Sequence, residues 1–340
     1  MIFALILLAC LALSVFINLA QFVSRFVPGT PMIARSSGPR LEETVLKDNS
    51  ASGKIAVVDL DGLITSRTSD RGGYTMVDLF KAQLERAGED RKVKAVVLRV
   101  DSPGGEVLAA DELYRALAQF QTNFGKPVIS SMGNLAASGG YYVAAASRWI
   151  VANELTITGS IGVILHSWNY RGLMDKVGLR PEVYKSGKYK DMLSGERNPD
   201  DIPAEERAMV QALIDQTYSR FQDVVAQGRG DAHAKNREQG KALAGDWKTY
   251  ADGRVLSGTQ AYEIGFVDEL GDFDDAVDRA CKFAGIMNAN LVQYRTRYDL
   301  FDIFRLFGRS EAPVVKLDVG VETPKLEAGR LYFLSPTYLH

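Results

Sequence analysis

Val93-Lys94-Ala95-Val96-Val97-Leu98-Arg99-Val100, closed by Asp101-Ser102-Pro103-Gly104-Gly105, decides the fold. The run is apolar almost throughout, rich in β-branched residues, too short for a typical helix, and stopped by a Pro-Gly-Gly turn. That combination predicts a strand buried on both faces. The pattern recurs at Ile55–Leu60, stopped by Asp61-Gly62, at Pro127–Met132, followed by a loop over Gly133–Ala137, at Trp149–Ala152 and at Ile161–Leu165. Between the strands the apolar spacing turns helical: Val77, Phe80 and Leu84 within Met76–Ala87, then Leu113, Leu117 and Phe120 within Ala109–Phe120. A helix is predicted from Ser138 to about Ser147, and a long amphipathic one over Glu205–Ala226. Ala242–Leu270 mixes a turn-rich stretch with a further helix. Strands alternating with helices predict an α/β domain.

Outward from this body the composition changes. The 340 residues carry 40 Lys+Arg against 42 Asp+Glu, a net charge of -2, which leaves no electrostatic footprint for nucleic acid. All of that charge lies beyond residue 24, because residues 1–24 hold no charged side chain. A helix of about 23 residues spans ~34 Å at about 1.5 Å per residue, so residues 1–27 are expected to form a transmembrane signal anchor. Pro28-Gly29-Thr30-Pro31 and Ser36-Ser37-Gly38-Pro39 predict a flexible tether over 28–53. Arg25, Arg35 and Arg40 follow the charge-free run of residues 1–24, and on their own they would keep the body in the cytoplasm. The apolar run Leu331-Tyr332-Phe333-Leu334 is expected to clasp a neighbour or to visit the active groove as a self-substrate. Cys10 and Cys281 make neither a disulfide framework nor a zinc site, and no cofactor or metal is expected.

Two glycine-rich turns end strands, Asp101–Gly105 and Asn134–Gly140. Ligands bind beyond the carboxyl ends of strands in α/β sheets, so both turns point to one rim. Neither is a phosphate loop. Ala136-Ala137-Ser138-Gly139-Gly140 sets a single hydroxyl among residues with almost no side chain, at a predicted helix start. Ser138 could cap that helix. Its bare surroundings favour a nucleophile that a substrate backbone can approach, with helix N–H groups facing the developing oxyanion. A nucleophilic serine needs a base. His166 ends a strand and reads as structural, His233 lies in a polar stretch, and His340 is at the C-terminus; none is placed for the role. A lysine held neutral is the other solution, and no Ser-x-x-Lys is present, since Tyr141 stands three residues on. Lys185, Lys188 and Lys190 cluster downstream, and residue chemistry alone does not choose among them.

The ordered set Asp101-Ser102-Pro103-Gly104-Gly105, Asn134–Tyr142, Thr158-Gly159-Ser160-Ile161-Gly162-Val163 and Lys190-Asp191-Met192, with Gly253-Arg254-Val255, Gly258–Ala261 and Gly265–Gly271, resembles the bacterial signal peptide peptidase A family, the S49 serine peptidases. The resemblance covers about residues 54–285, leaving 286–340 as a C-terminal extension, and suits the short form of the family. It implies a Clp/crotonase-like fold of stacked ββα units. It implies Ser138 as nucleophile, Lys190 as general base, Ser160 as the hydroxyl orienting that lysine, and the N–H groups of Gly105 and Gly139 as the oxyanion hole. It further implies a homo-oligomeric ring, an octamer in that family, in which Ser and Lys come from adjacent subunits. The family's body lies outside the cytoplasm of a bacterial cell membrane and acts on remnant signal peptides and other membrane-associated peptides. Two other functions fit parts of the sequence: a crotonase-type acyl-CoA enzyme, which would have no reason for an anchor, and a non-catalytic membrane scaffold.

Overall fold

The structure is a computed structural model that describes Leu11, Ser14 and residues 38–68, 73–237, 239–296 and 331–334. In chain order the elements are β1 (Leu41–Lys47), β2 (Lys54–Asp61), α1 (Met76–Glu89), β3 (Val93–Ser102), β4 (Gly104–Glu106), α2 (Val107–Phe124), β5 (Val128–Ala137), α3 (Gly139–Ala144), β6 (Trp149–Ala152), β7 (Ile157–Gly159), β8 (Ile164–Leu165), α4 (Arg171–Lys176), α5 (Ala204–Lys235), β9 (Val255–Ser257), α6 (Gly258–Glu263), β10 (Glu269–Leu270), α7 (Phe273–Ala284), β11 (Asn290–Thr296) and β12 (Leu331–Leu334). This is a mixed α/β fold, as the alternation predicts. The main sheet runs β1-β11-β2-β3-β5-β6-β10, with β7 continuing from β5 to β9. Its central pairs, β11–β2, β2–β3, β3–β5 and β5–β6, are parallel.

The strands are apolar on successive residues because both faces are covered. Ala56, Val58, Val96, Leu98 and Val100 face a core built with α1, α2 and α3. Ile55, Val57, Ala95 and Val97 face the other way, onto Ala276, Ala280 and Cys281 of α7. Each large side chain buried in this way contributes ~1.5–3 kcal/mol. Helix ends follow local chemistry. Thr75 and Asp78 form a reciprocal capping box at α1, Asp272 and Asp275 another at α7, and Gly125 and Gly285 close α2 and α7 in the left-handed conformation.

Several boundaries differ from the sequence expectations. The anchor expected over 1–27 lies outside the described residues apart from Leu11 and Ser14; among the described residues no helix is long and apolar enough to cross a membrane. Residues 41–47, expected within the tether, form β1, paired antiparallel with β11. Residues 290–296, expected in the extension, supply β11 itself, so the folded body draws strands from beyond both ends of 54–285. The loop expected over 133–137 is strand: β5 runs on through Ala137 because Leu135, Ala136 and Ala137 pair with Ile157, Thr158 and Gly159. Of the strand expected over 161–165 only Ile164 and Leu165 are extended, and they belong to a second sheet, β4-β12-β8.

Candidate active site

Ser138 sits where β5 meets α3. It is fully buried, at φ 52° and ψ -116°, a conformation that costs a residue with a Cβ about 1–3 kcal/mol. Its backbone is fixed on both sides: its N–H donates to Gly159 O (2.8 Å), and its carbonyl accepts from Tyr142 N (2.8 Å). The side chain does not cap the helix. Its Oγ is buried and has no hydrogen-bond partner among the described residues. Buried polar groups are normally paired, and an unpaired one costs about 1–3 kcal/mol. A strained backbone and an unpaired buried hydroxyl at one residue separate Ser138 from an ordinary cap.

The glycine turn after β3 faces it. A Cβ at Gly104 would run into the carbonyl oxygen of Phe333 and come within 2.7 Å of Gly139 N; one at Gly105 would collide with the Ile64 carbonyl. Gly104 also holds φ 101°, where a side chain is strained. Only glycine therefore lets these three segments meet. Ser102 Oγ donates to Gly62 O (2.7 Å) and accepts from Gly104 N (3.1 Å), which fixes the turn. Ile64 clamps it from the far side: Ile64 N donates to Gly104 O and Glu106 N to Ile64 O, both at 2.8 Å. The buried Glu106 carboxylate accepts from Thr65 Oγ1 and from Ser66 N and Oγ, holding residues 64–66 in place.

Between β4 and β8 lies a strand from the far end of the chain. In β12, Tyr332, Phe333 and Leu334 pair antiparallel with Glu106, Gly105 and Gly104, while Leu331 and Tyr332 pair with Leu165 and Ile164. The Phe333 ring is buried against Tyr142 (centroids 4.9 Å apart) and Phe221 (4.6 Å). Below it Tyr142 donates to Asp111 (2.6 Å), which Arg115 and Arg220 also face. Burial raises the Asp111 carboxyl, but the bonds from Tyr142, Arg115 and Arg220 outweigh it and hold the acid below its ordinary value. The Tyr142 hydroxyl is pushed up by burial and by Asp111.

Ser160 follows β7 by one residue. It is buried at φ 50°, and its N–H donates to Arg254 O at 2.7 Å. Since Gly159 pairs with Ala137, the fold brings Ser160 to the same ladder end as Ser138. Gly105 and Gly139 are likewise brought together: a Cβ at Gly139 would lie 3.1 Å from Gly105 N. Lys190 is not joined to this group. It is exposed, in a run of turns over 186–193, and makes no bond to Ser138 or Ser160 within the chain. The arm that carries it displays large apolar side chains, among them Trp168 (80% exposed), Val177 (70%) and Tyr184 (91%). A cavity of about 340 Å³ lies at its base, lined by Trp168, Leu193, Ile202, Glu206 and Val210.

His166, expected to be structural, is exposed; His233 is partly buried on α5, its Nδ1 unpaired; His340 is outside the described residues. Neither described histidine bonds to Ser138. Among the described residues no group of His, Cys, Asp and Glu is placed to hold a metal ion. Sequence reading missed Glu106 and the Tyr142–Asp111 pair. Glu106 adjoins the glycine turn, but its partners Thr65 and Ser66 lie some 40 residues away in the chain.

The model of Peptidase family S49 matches residues 121–287, a span that includes Ser138, Gly139, Ser160 and Lys190 but not Gly105. A putative signal peptide peptidase SppA of Enterococcus faecium is 36% identical over 260 residues, covering 75% of this chain and 71% of that one. A putative protease of Synechocystis is 41% identical over 235 residues, 68% of this chain and 75% of that one. Protease 4 of Salmonella typhi is 35% identical over 251 residues, 74% of this chain but only 38% of the longer protein.

Proposed function

The chain belongs to peptidase family S49, and from that premise we propose that it is a membrane-anchored serine endopeptidase with Ser138 as nucleophile and Lys190 as general base. The observation that carries this reading is the Ser138 hydroxyl, buried on strained backbone without a partner among the described residues, next to the glycine turn that pairs with the extended segment β12. Neutral Lys190 takes the Ser138 proton as Oγ attacks a peptide carbonyl, and Ser160 orients the amine. The N–H groups of Gly105 and Gly139 receive the oxyanion, each such donor contributing about 10²–10³-fold. The lysine then protonates the leaving amine, and water releases the acyl group from Ser138. The Clp/crotonase-like reading is supported by the β3–β4–α2 succession that presents the glycine turn.

Because Lys190 is exposed and unbonded to Ser138 within one chain, the amine is supplied by a neighbouring copy in a ring. The apolar side chains on the lysine arm support an intersubunit contact there. The substrates are signal-peptide remnants and other membrane-associated peptides, bound as a strand between β4 and β8 in the manner of β12. The body lies outside the cytoplasm, held by the N-terminal anchor. The position of Phe333, with its carbonyl against Gly104 and Gly139, also favours the reading of the tail as a self-substrate.

Ser138→Ala and Lys190→Ala are each expected to abolish hydrolysis of a reporter peptide while assembly is retained. Mixed rings of the two variants are expected to regain activity, since some interfaces then unite an intact serine with an intact lysine. Full activity in Lys190→Ala would overturn the dyad; two inactive singles with no recovery on mixing would overturn the shared site.

A further inference from the structure

Both chain neighbours of Lys190 are tied to one helical turn. Tyr189 donates its hydroxyl to Glu205 (2.7 Å), and Lys188 Nζ reaches the same carboxylate at 2.9 Å. On the other side, Asp191 accepts from Lys185 at 2.6 Å and faces Arg197 at 3.6 Å. Arg197 in turn donates from Nη1 to both oxygens of Glu206, at 2.7 and 2.8 Å. Glu205 and Glu206 are consecutive residues in the first turn of α5, where the helix dipole favours carboxylates. Exposed ion pairs contribute little, but Glu206 is only 3% exposed and its pairing with Arg197 is charge-assisted and double. Lys190 stands between the two ties and takes part in neither.

We propose that the first turn of α5 aims the catalytic lysine, through Tyr189–Glu205 on one side and Asp191–Arg197–Glu206 on the other. This rests on the reading of Lys190 as base given above. The five residues are positioning residues: none touches the reacting atoms. A lysine side chain has four rotatable carbons, so its amine can be placed only if its backbone is held, and a placement error of about 1 Å can cost ~10²-fold in rate. Two ties flanking one free residue hold the backbone while leaving the amine available to a hydroxyl on another chain. An arm that only needed to stay folded would have no reason to tie both neighbours of the same residue to adjacent carboxylates.

The test measures kcat and KM separately for peptide hydrolysis by the full-length, assembled protein. Arg197→Ala and Glu206→Gln are expected to lower kcat by ~10- to 100-fold with KM within about twofold, and Arg197→Lys to recover part of the loss. Tyr189→Phe removes one hydroxyl from a half-exposed position and is expected to lower kcat several-fold. It keeps the test decisive if the other variants do not fold. Wild-type kcat in all the folded variants, with Lys190→Ala inactive, overturns the proposal alone. A rise in KM at constant kcat also overturns it, because the arm would then be shaping the peptide groove. Full activity in Lys190→Ala removes the base assignment, and this proposal with it.

Discussion

At the scale of single residues, Ser138 and Lys190 present opposite problems. Ser138 is over-determined: the strand behind it, the helix ahead of it and the Gly159 carbonyl fix its backbone at a positive φ and leave its hydroxyl without a partner among the described residues. Lys190 makes one long backbone hydrogen bond of its own, to Gly187 O (3.4 Å), while its neighbours Tyr189 and Asp191 carry the side-chain ties. The pH dependence of activity separates the two. A lysine acting as base must be neutral, so activity is expected to rise with pH. Asp191 does not contribute to that rise. The hydrogen bond from Lys185, aided by the charge of Arg197, holds the Asp191 carboxyl below its ordinary value. A depressed carboxyl keeps its ordering effect above the unfolded value of about 3.9 and loses it as the pH falls through the lower folded value. Between about pH 6 and about pH 9 the tie at Asp191 is therefore constant, and a rate that climbs across that window reports the base. A flat profile would count against a lysine.

At the scale of elements, β12 lies between β4 and β8 with the Phe333 carbonyl against Gly104 and Gly139, and under the proposed function it would be the first substrate. Active protein is expected to lose residues beyond the Phe333 carbonyl, while Ser138→Ala keeps them; intact-mass spectrometry reads the difference, and identical C-termini in the two proteins would end the self-substrate reading. The central strands were legible in the sequence because burial on both faces writes itself as a continuous apolar run, as in Val93–Val100. Elements defined by distant partners were not. Leu41–Lys47 is a polar strand that exists because β11 lies beside it, and residues 133–137 are extended because β7 pairs with them. The same limit applies to the site. Ser138 could be singled out because Ala136, Ala137, Gly139 and Gly140 surround it in the chain itself. Nothing local distinguishes Lys190 from Lys185 and Lys188, and the choice among them rests on the family resemblance.

At the scale of the whole molecule, the buried pair Arg229–Asp268 links α5 to the end of the sheet. Both side chains are almost wholly removed from solvent, and Asp268 also accepts from Ile150 N at 2.8 Å. Burial raises the Asp268 carboxyl despite the charge of Arg229 beside it. Breaking such a pair strands a charge, so Arg229→Met is expected to destabilise the fold by about 3–5 kcal/mol. Adding Asp268→Asn removes the stranded charge, keeps an acceptor for Ile150, and is expected to recover part of that loss. Urea unfolding midpoints of the two variants check this; a silent Arg229→Met would mean that α5 is held by its apolar contacts, such as Phe221 and Val225, alone.

The absence of any bond between Ser138 and Lys190 within a protomer has a cellular consequence. With its amine supplied by another copy, as proposed, a newly made chain is inert by construction, a zymogen that needs no propeptide. It becomes an enzyme only where copies are crowded enough to meet. Turnover per molecule then falls on dilution and rises with local density, so activity would grow more steeply than the number of chains made.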